Sequence, residues 1–451
     1  RCSGWCSGRF CSSRRSQPGC FKGDPAVKIV SVTAHIVNAE MRNWVFVKVQ
    51  TDVPGLHGWG EATLEWKTRS VAGAVEDLAP LIIGRNPLDI EQAVRAMRKQ
   101  SFWRLGAIGM SAISGIEIAL WDIAGKHFGV PVWRLLGGQV REKVHVYTHL
   151  GFGDMRAVYE TDSVDPLVER AHEVLSKGYT AFKVVILPYV HAYAPRKAVS
   201  HVERLMAGLR EAAGPDTEIM LDFHGKPGSV ATALQFIEAV APHKPMFVEE
   251  PIQPGDARGM RQITERSAVP IATGERLVER SEFEEHFHLR AMDIAQPDIC
   301  HCGGLLEAKK IAAMAETAGM GVAPHNPLGP IAGAAALHFA VSTPSHIIQE
   351  EMEGPCPGIS MWFEGPSRWS TATGKCRKPQ GLASRSTKPN APSILLLPRC
   401  ITRPTRFWTT ERSWTGEGRP ERTSGIISRS PKTRPVRENA SISSRPFPRY
   451  T

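Results

Sequence analysis

From Val27 the chain reads as two strands, "VKIVSVTAHIV" and "NWVFVKVQTD", the second alternating through Val45, Val47 and Val49. Alternation of this kind marks a strand with one buried face. A helical region follows, in which Ile113, Ile116, Leu120 and Ile123 recur three to four residues apart before "GKHFG" closes it. After about Val144 the pattern changes to short apolar runs alternating with helical stretches: "AFKVVIL", "EIMLDFH", "PMFVEEP", "VPIATGE", "DIAQPD", "MGVAPH" and "HIIQEE". Polar residues stand at their C-terminal ends, at Lys183, Asp222, Glu249, Glu275, Asp298, His325 and Glu350, with separations of 39, 27, 26, 23, 27 and 25 residues. A strand-plus-helix repeat of about 25 residues is what successive units of a parallel α/β barrel require, and such barrels carry their chemistry at the strand C-termini.

That placement gives the polar residues a shared rim. In "IMLDFHGKPG" the pair Asp222 and His224 is spaced i, i+2, so on a continuing strand the two side chains project together toward the barrel mouth. Asp222, Glu249 and Glu275 bring three carboxylates to the same rim. Like charges that close repel, and a hard divalent cation such as Mg2+, which takes oxygen ligands, is the natural remedy. A lone acid of this kind is usually a solvated loop residue or a salt-bridge partner; three in register favour a metal site. His325 falls one strand beyond Asp298, so a carboxylate can hold its tautomer and raise its basicity. His224 enters from a different strand, a layout suited to one base and a separate acid. Either histidine alone is as often structural as functional, and the register favours catalysis. Lys183 reads equally as a substrate contact, a carboxylate contact or a plain rim ion pair. Cys300 and Cys302, flanking His301, do not have a zinc spacing, and the glycines after them mark a strand-to-helix turn.

Charge adds little to this picture once its location is known. Of the net +10, residues 361–451 carry fourteen Arg and four Lys against five Glu, or +13, and residues 1–25 carry +4, leaving residues 26–360 at −7. The basic ends show neither a strand nor a helix period, and their scattered cations form no nucleic-acid-binding motif. Four of nine cysteines lie in the first twenty residues and none between Ala26 and Ile299, which points to a reduced, cytoplasmic protein. No apolar run approaches the roughly 20 residues of a membrane span, and the first residues lack the apolar centre of a signal peptide.

The motifs "SAISGIEIALWDIAGKHFGVPVWRLLGG", "LDFHG", "FVEEP", "TGER", "QPD", "GVAPHNPLGPIA" and "IIQEE", in this order over about Val27 to Glu351, resemble the enolase superfamily, mandelate racemase branch, and within it the D-galactonate dehydratase group. The resemblance implies a modified TIM barrel, (β/α)7β, with an α+β N-terminal capping domain over residues 27–143 and the barrel over 144–354. It implies one Mg2+ held by Asp222, Glu249 and Glu275, and loss of water from an acid sugar to give a 2-keto-3-deoxy acid. His325, with Asp298 behind it, takes the proton next to the carboxylate; His224 protonates the departing 3-hydroxyl; Glu350 hydrogen-bonds the enediolate; Lys183 joins the catalytic set. Loops around "GWGEATLEWKTRS" and "FWRLGAIGM" are expected to help choose the substrate. The expected partners are a small acid sugar and further copies of the chain, with no nucleic acid and no membrane. D-galactonate is the expected substrate; gluconate-type epimers, racemisation or cycloisomerisation on the same metal, and a silent relative are the alternatives.

The family's C-terminal segment, which returns to the capping domain, is not spelled by this tail. Reading it one base out of register lets allowed codons spell such a segment. Residues 355–451 are therefore expected to be a disordered, out-of-frame tail beginning near Gly354, and residues 1–26 a leader read ahead of a start at Val27.

Overall fold

The computed structural model of the protein describes residues 27–39, 42–100, 102–151, 163–352 and 374–375. The expectations for residues 1–26 and for the tail lie outside the described residues, the pair 374–375 apart. The first part is an antiparallel sheet of β1 (Ile29–Ala39), β2 (Arg42–Thr51) and β3 (His57–Glu61). Helices α1 (Thr68–Leu78), α2 (Ile90–Gln100), α3 (Gly106–Phe128) and α4 (Val132–Leu135) follow. The alternating Val45, Val47 and Val49 share one core with Val71 and Val75 of α1 and Ile113, Ile116, Leu120 and Ile123 of α3. Both periodicities in the sequence thus face each other. Two glycines of β3, a strand that the sequence reading did not separate, set how closely they approach. A Cβ on Gly60 would fall on the Gly115 carbonyl oxygen, and one on Gly58 on that of Ala119.

Helix α3 ends where Gly129 takes a left-handed conformation, φ +66°, which glycine adopts without steric cost. By length and composition α3 is long and apolar enough to cross a membrane, yet 83% of its most apolar window is buried inside the protein. Scanning for apolar runs passes over it because Ser114, Glu117 and Asp122 interrupt the pattern, and all three are buried with partners.

The second part is an eight-stranded parallel sheet. After β4 (Lys143–Val144), which among the described residues pairs with β13 (Gly374–Lys375), strands and helices alternate. They run β5 (Val146–His149), α5 (Asp165–Ser176), β6 (Ala181–Val184), α6 (Arg196–Ala213), β7 (Glu218–Asp222), α7 (Val230–Val240), β8 (Phe247–Glu249) and α8 (Ala257–Arg266). The series continues with β9 (Ile271–Thr273), α9 (Arg280–Leu289), β10 (Ile294–Ala295), α10 (Leu305–Thr317), β11 (Gly321–Val322), α11 (Pro330–Ser342) and β12 (Gln349–Glu350). Ladders join the strands in sequence from β5 to β11, with β12 beside β5. A parallel bridge from Val322 to His346 closes the ring. Its interior is filled by Tyr147, Ala181, Met220, Phe247, Ala272, Ile294, Ala323 and Ile348, one from each strand or its flank, as a barrel core requires. This is the expected (β/α)7β order. The sequence reading, however, starts the series at "AFKVVIL" and misses β5, whose four residues include Tyr147, Thr148 and His149 and make no apolar run.

Two buried glutamates tie the parts together. Glu117 of α3 accepts the backbone N–H groups of Leu305 and Leu306 at 2.8 and 2.9 Å, at the start of α10. Glu61 of β3 accepts those of Gly329 and Ala332 at 2.7 and 2.9 Å, at the start of α11. Carboxylates suit the N-terminal ends of helices, where unpaired N–H groups and the helix dipole meet them. Burial nevertheless pushes both acids up to about 7.

The contact between β3 and α3 generates a prediction. Gly60→Ala is expected to destabilise the chain by about 1–3 kcal/mol in urea unfolding. Gly73→Ala, in α1 with nothing within 4 Å of its Cβ, should be neutral or stabilising by up to about 1 kcal/mol. Equal effects of the two substitutions would contradict the close approach.

Candidate active site

The parallel ladder decides which side chains meet. Asp222, the last residue of β7, is in register with Glu249, the last of β8; His149, the last of β5, is in register with Lys183 of β6. Neighbouring strands lie about 4.8 Å apart, so side chains in register on one face are within reach of each other. Glu275 lies two residues beyond β9. Oxygens of Asp222, Glu249 and Glu275 come within 4.8 Å of one another. Asp298 and His325 each stand three residues beyond their strands, β10 and β11, and His325 Nδ1 is 2.7 Å from Asp298 Oδ2. The other nitrogen, His325 Nε2, is 3.1 Å from Glu275 Oε2. His224 Nε2 is 2.8 Å from Asp222 Oδ2.

Lys183 is fully buried among the carboxylates. Its Nζ lies 2.8 Å from Glu249 Oε2, 2.9 Å from Glu350 Oε1 and 3.7 Å from Asp222 Oδ2. Glu350 also accepts His149 Nε2 at 2.7 Å on Oε1 and the Asn326 N–H at 2.7 Å on Oε2.

The electrostatics divide the acids into two sets. Burial opposes the charged form of Glu350, but Lys183 and the hydrogen bond from His149 outweigh it and hold that carboxyl well below its ordinary range. Asp222 is likewise held down against burial by His224 and Lys183. Glu249 goes the other way, to about 7, because burial and its acidic neighbours exceed what Lys183 returns. Glu275 is raised well above its ordinary value, by burial first and then by Glu250. His325 is raised too: burial works against its charge, and Glu275 with the Asp298 hydrogen bond prevails.

These residues fit a hard divalent cation. All donors in the cluster are carboxylate oxygens, as Mg2+ or Ca2+ prefers, and buried Glu249 Oε1 accepts no hydrogen bond from any of the described residues. Two of the three carboxylates are pushed toward protonation by burial, a condition that positive charge at the cluster would relieve.

The structure corrects one premise and adds residues. Asp222 and His224 meet, but not by strand alternation. β7 ends at Asp222, and His224 takes φ +49°. Its backbone N–H turns back onto Asp222 Oδ1 at 2.9 Å, and the ring reaches Oδ2 from that turn. The structure adds His149, whose signal in the sequence is a polar residue next to the end of "VHVYTHL", hidden because β5 makes no apolar run. Glu250, the second acid of "VEEP", forms an ion pair with Arg276 of "TGER", a pairing no spacing rule indicates. Cys300 and Cys302 are buried free thiols raised above their ordinary range chiefly by burial. His301 between them lies 2.9 Å from Ser111 Oγ through Nδ1.

Residues 24–137 match the family model described as mandelate racemase / muconate lactonizing enzyme, N-terminal domain, and residues 166–382 that described as enolase C-terminal domain-like. The chain is 38% identical over 311 residues to the D-galactonate dehydratase of Klebsiella pneumoniae (strain 342), a match spanning 69% of this chain and 78% of that protein. Identity is also 38%, over 312 residues and with the same shares, to the D-galactonate dehydratase of Xanthomonas euvesicatoria pv. vesicatoria (strain 85-10). Among solved structures, a mandelate racemase/muconate lactonizing enzyme-like protein from Roseovarius sp. TM1035 has a TM-score of 0.74 at 30% identity, covering 83% of this chain and 94% of that one. A member of the enolase superfamily from Salmonella Typhimurium has a TM-score of 0.68 at 33% identity, covering 72% and 88%.

Lys183 carries the prediction here. Lys183→Met would leave buried Glu249 and Glu350 without their shared cation, and breaking such a pair costs about 3–5 kcal/mol. Urea unfolding in EDTA is expected to show a loss of that size, and a loss below about 1 kcal/mol would mean that the ammonium does not hold the carboxylates together.

Proposed function

We propose that this chain, which belongs to the mandelate racemase/muconate lactonizing enzyme branch of the enolase superfamily, is an acid-sugar dehydratase that converts D-galactonate to 2-keto-3-deoxy-galactonate. One observation carries the reading: two imidazoles flank a single carboxylate cluster, each touching a different member, His325 at Glu275 and His224 at Asp222. A base and a separate acid are what removal of water from adjacent carbons needs. The relatives named D-galactonate dehydratase support the choice of sugar.

His325 has Nδ1 committed to Asp298, and Nε2, which faces Glu275 at 3.1 Å, is the nitrogen that takes the proton from the carbon beside the substrate carboxylate. The electron pair of that C–H bond moves into the carboxylate as an enediolate, then returns to form a C=C bond as the C3–O bond breaks. His224 gives its proton to the departing hydroxyl, which leaves as water, and the enol tautomerises to the 2-keto acid. Asp222, Glu249 and Glu275 would hold Mg2+, which when bound supplies a hard positive charge for the electron density gathering on the substrate carboxylate. Glu350, ionised with both oxygens accepting, has no proton of its own to give. We assign it to orienting Lys183 and His149, whose N–H groups are the donors at that wall.

The test is a product assay for 2-keto-3-deoxy acids with D-galactonate and other acid sugars in Mg2+, run in deuterated water. His325→Asn is expected to lose product and exchange of the proton beside the carboxylate together, by about 10²–10⁴-fold. His224→Asn should lose product by a similar factor while that exchange survives. Product formation undiminished in His224→Asn would overturn the assignment of the acid, and turnover of a different epimer alone would replace the sugar and keep the chemistry.

A further inference from the structure

The segment "HNPLG", His325 to Gly329, leads from the imidazole to the start of α11, and two different parts of the chain hold it. The barrel holds its first residues. Asp298 binds the His325 ring at 2.7 Å, the Asn326 N–H donates to Glu350 Oε2 at 2.7 Å, and Asn326 Nδ2 donates to the Glu350 carbonyl at 3.3 Å. Beyond Asn326 the holders change. The Pro327 carbonyl accepts Arg42 Nη1 at 2.8 Å, and the N–H groups of Gly329 and Ala332 go to the two oxygens of Glu61. Arg42 opens β2 and Glu61 closes β3, so both belong to the N-terminal sheet, 285 and 268 residues away from Pro327 and Gly329 in sequence.

Glu61 is itself fixed in place. It is fully buried, Thr63 Oγ1 donates to its Oε1 at 2.7 Å, and Thr63 in turn accepts the Val45 N–H at 3.0 Å. Arg42 is paired with Glu65. The Glu61 carboxylate thus accepts three hydrogen bonds, one from its own strand region and two from the start of a barrel helix.

The need to cap α11 does not by itself account for this arrangement. Helices are commonly capped by a Ser, Thr, Asp or Asn at their own N-terminus, as Ser229 caps α7 and Asp256 caps α8. Helix α11 instead begins after Gly329, which has no side chain for the purpose. The backbone there does not require glycine, since φ is −87° and ψ −177°, a region open to any residue. The contact requires it: a Cβ on Gly329 would lie 2.5 Å from Glu61 Oε1. A local cap would satisfy the helix and leave it independent of the N-terminal sheet. The borrowed cap ties the segment behind His325 to that sheet.

We infer that Glu61, assisted by Arg42, is a positioning residue for His325, through which the N-terminal sheet sets where the imidazole stands against the carboxylate cluster. The inference rests on the reading of His325 as the base. A misplacement of about 1 Å can cost on the order of 100-fold in rate. Asp222, Glu249 and Glu275 come from β7, β8 and the residues after β9, so losing the tie should fall on proton abstraction and spare cation binding.

The experiment compares the whole chain with Glu61→Gln and with Glu117→Gln, which removes the corresponding tie to α10. Glutamine keeps the volume but replaces one acceptor oxygen by a donor. In Mg2+ and deuterated water, Glu61→Gln is expected to slow deuterium entry beside the carboxylate of recovered substrate and product formation together, by about 10–100-fold, with Mg2+ affinity kept within about threefold. Glu117→Gln should keep deuterium entry within about threefold. Undiminished deuterium entry in Glu61→Gln, loss of Mg2+ affinity along with it, or an equal loss of deuterium entry in Glu117→Gln would overturn the inference. Amide hydrogen exchange gives a reading that needs no turnover. The Asn326 N–H, bound to Glu350 and not to Glu61, should exchange faster in Glu61→Gln, and an unchanged rate would overturn the inference as well. Should the unsubstituted chain neither exchange nor dehydrate any acid sugar, the reading of His325 as the base fails and the Asn326 comparison decides the tie by itself. Should Glu61→Gln not fold, Gly329→Ala presses on the same contact from the other side and gives the same comparisons.

Discussion

Repulsion among buried carboxylates is the constraint on which the rest of this structure depends. Asp222, Glu249, Glu275, Asp298 and Glu350 gather at one end of the barrel, four of them essentially without solvent contact, where each charge loses hydration and feels the others in a weakly screening medium. Lys183 touches three of them and offsets part of the repulsion. The offset is incomplete, since Glu249 and Glu275 remain raised toward protonation. A cluster held together against its own charge is suited to a hard cation and to a reaction in which negative charge gathers on a substrate carboxylate.

The barrel supplies that cluster with few specific contacts because the ladder does the placing. Register pairs Asp222 with Glu249 and His149 with Lys183, and the residues that stand beyond their strands, Glu275, Asp298 and His325, extend the same ring. The N-terminal part is fixed against it by Glu61 and Glu117, each bound to the first turn of a barrel helix. A strand of this barrel therefore needs only two to five residues, and its value lies in where it ends.

Much of this was legible in the chain. The spacing of polar residues after short apolar runs identified seven of eight barrel strands and every acid of the cluster, because a strand-plus-helix unit imposes a nearly constant repeat. β5 escaped because it is short and mixed in polarity, and His149 escaped with it. The pairing of Asp222 with His224 was anticipated for a reason that the backbone does not follow. Alternation presumes a continuing strand, whereas the chain turns at Phe223 and brings the imidazole back through a left-handed residue. Contacts such as Glu250 with Arg276, or Lys226 with Leu187, join segments 26 and 39 residues apart, and local patterns carry no information at that range.

Asp222, Glu249 and Glu275 are proposed to hold one divalent cation together. Calorimetric titration of Mg2+ into the metal-stripped chain tests it most directly. One ion per chain is expected, with affinity reduced about 100-fold in each of Asp222→Asn, Glu249→Gln and Glu275→Gln while the proteins stay folded. Unchanged Mg2+ binding in the three variants, or no binding by the unsubstituted chain at millimolar Mg2+, would contradict it.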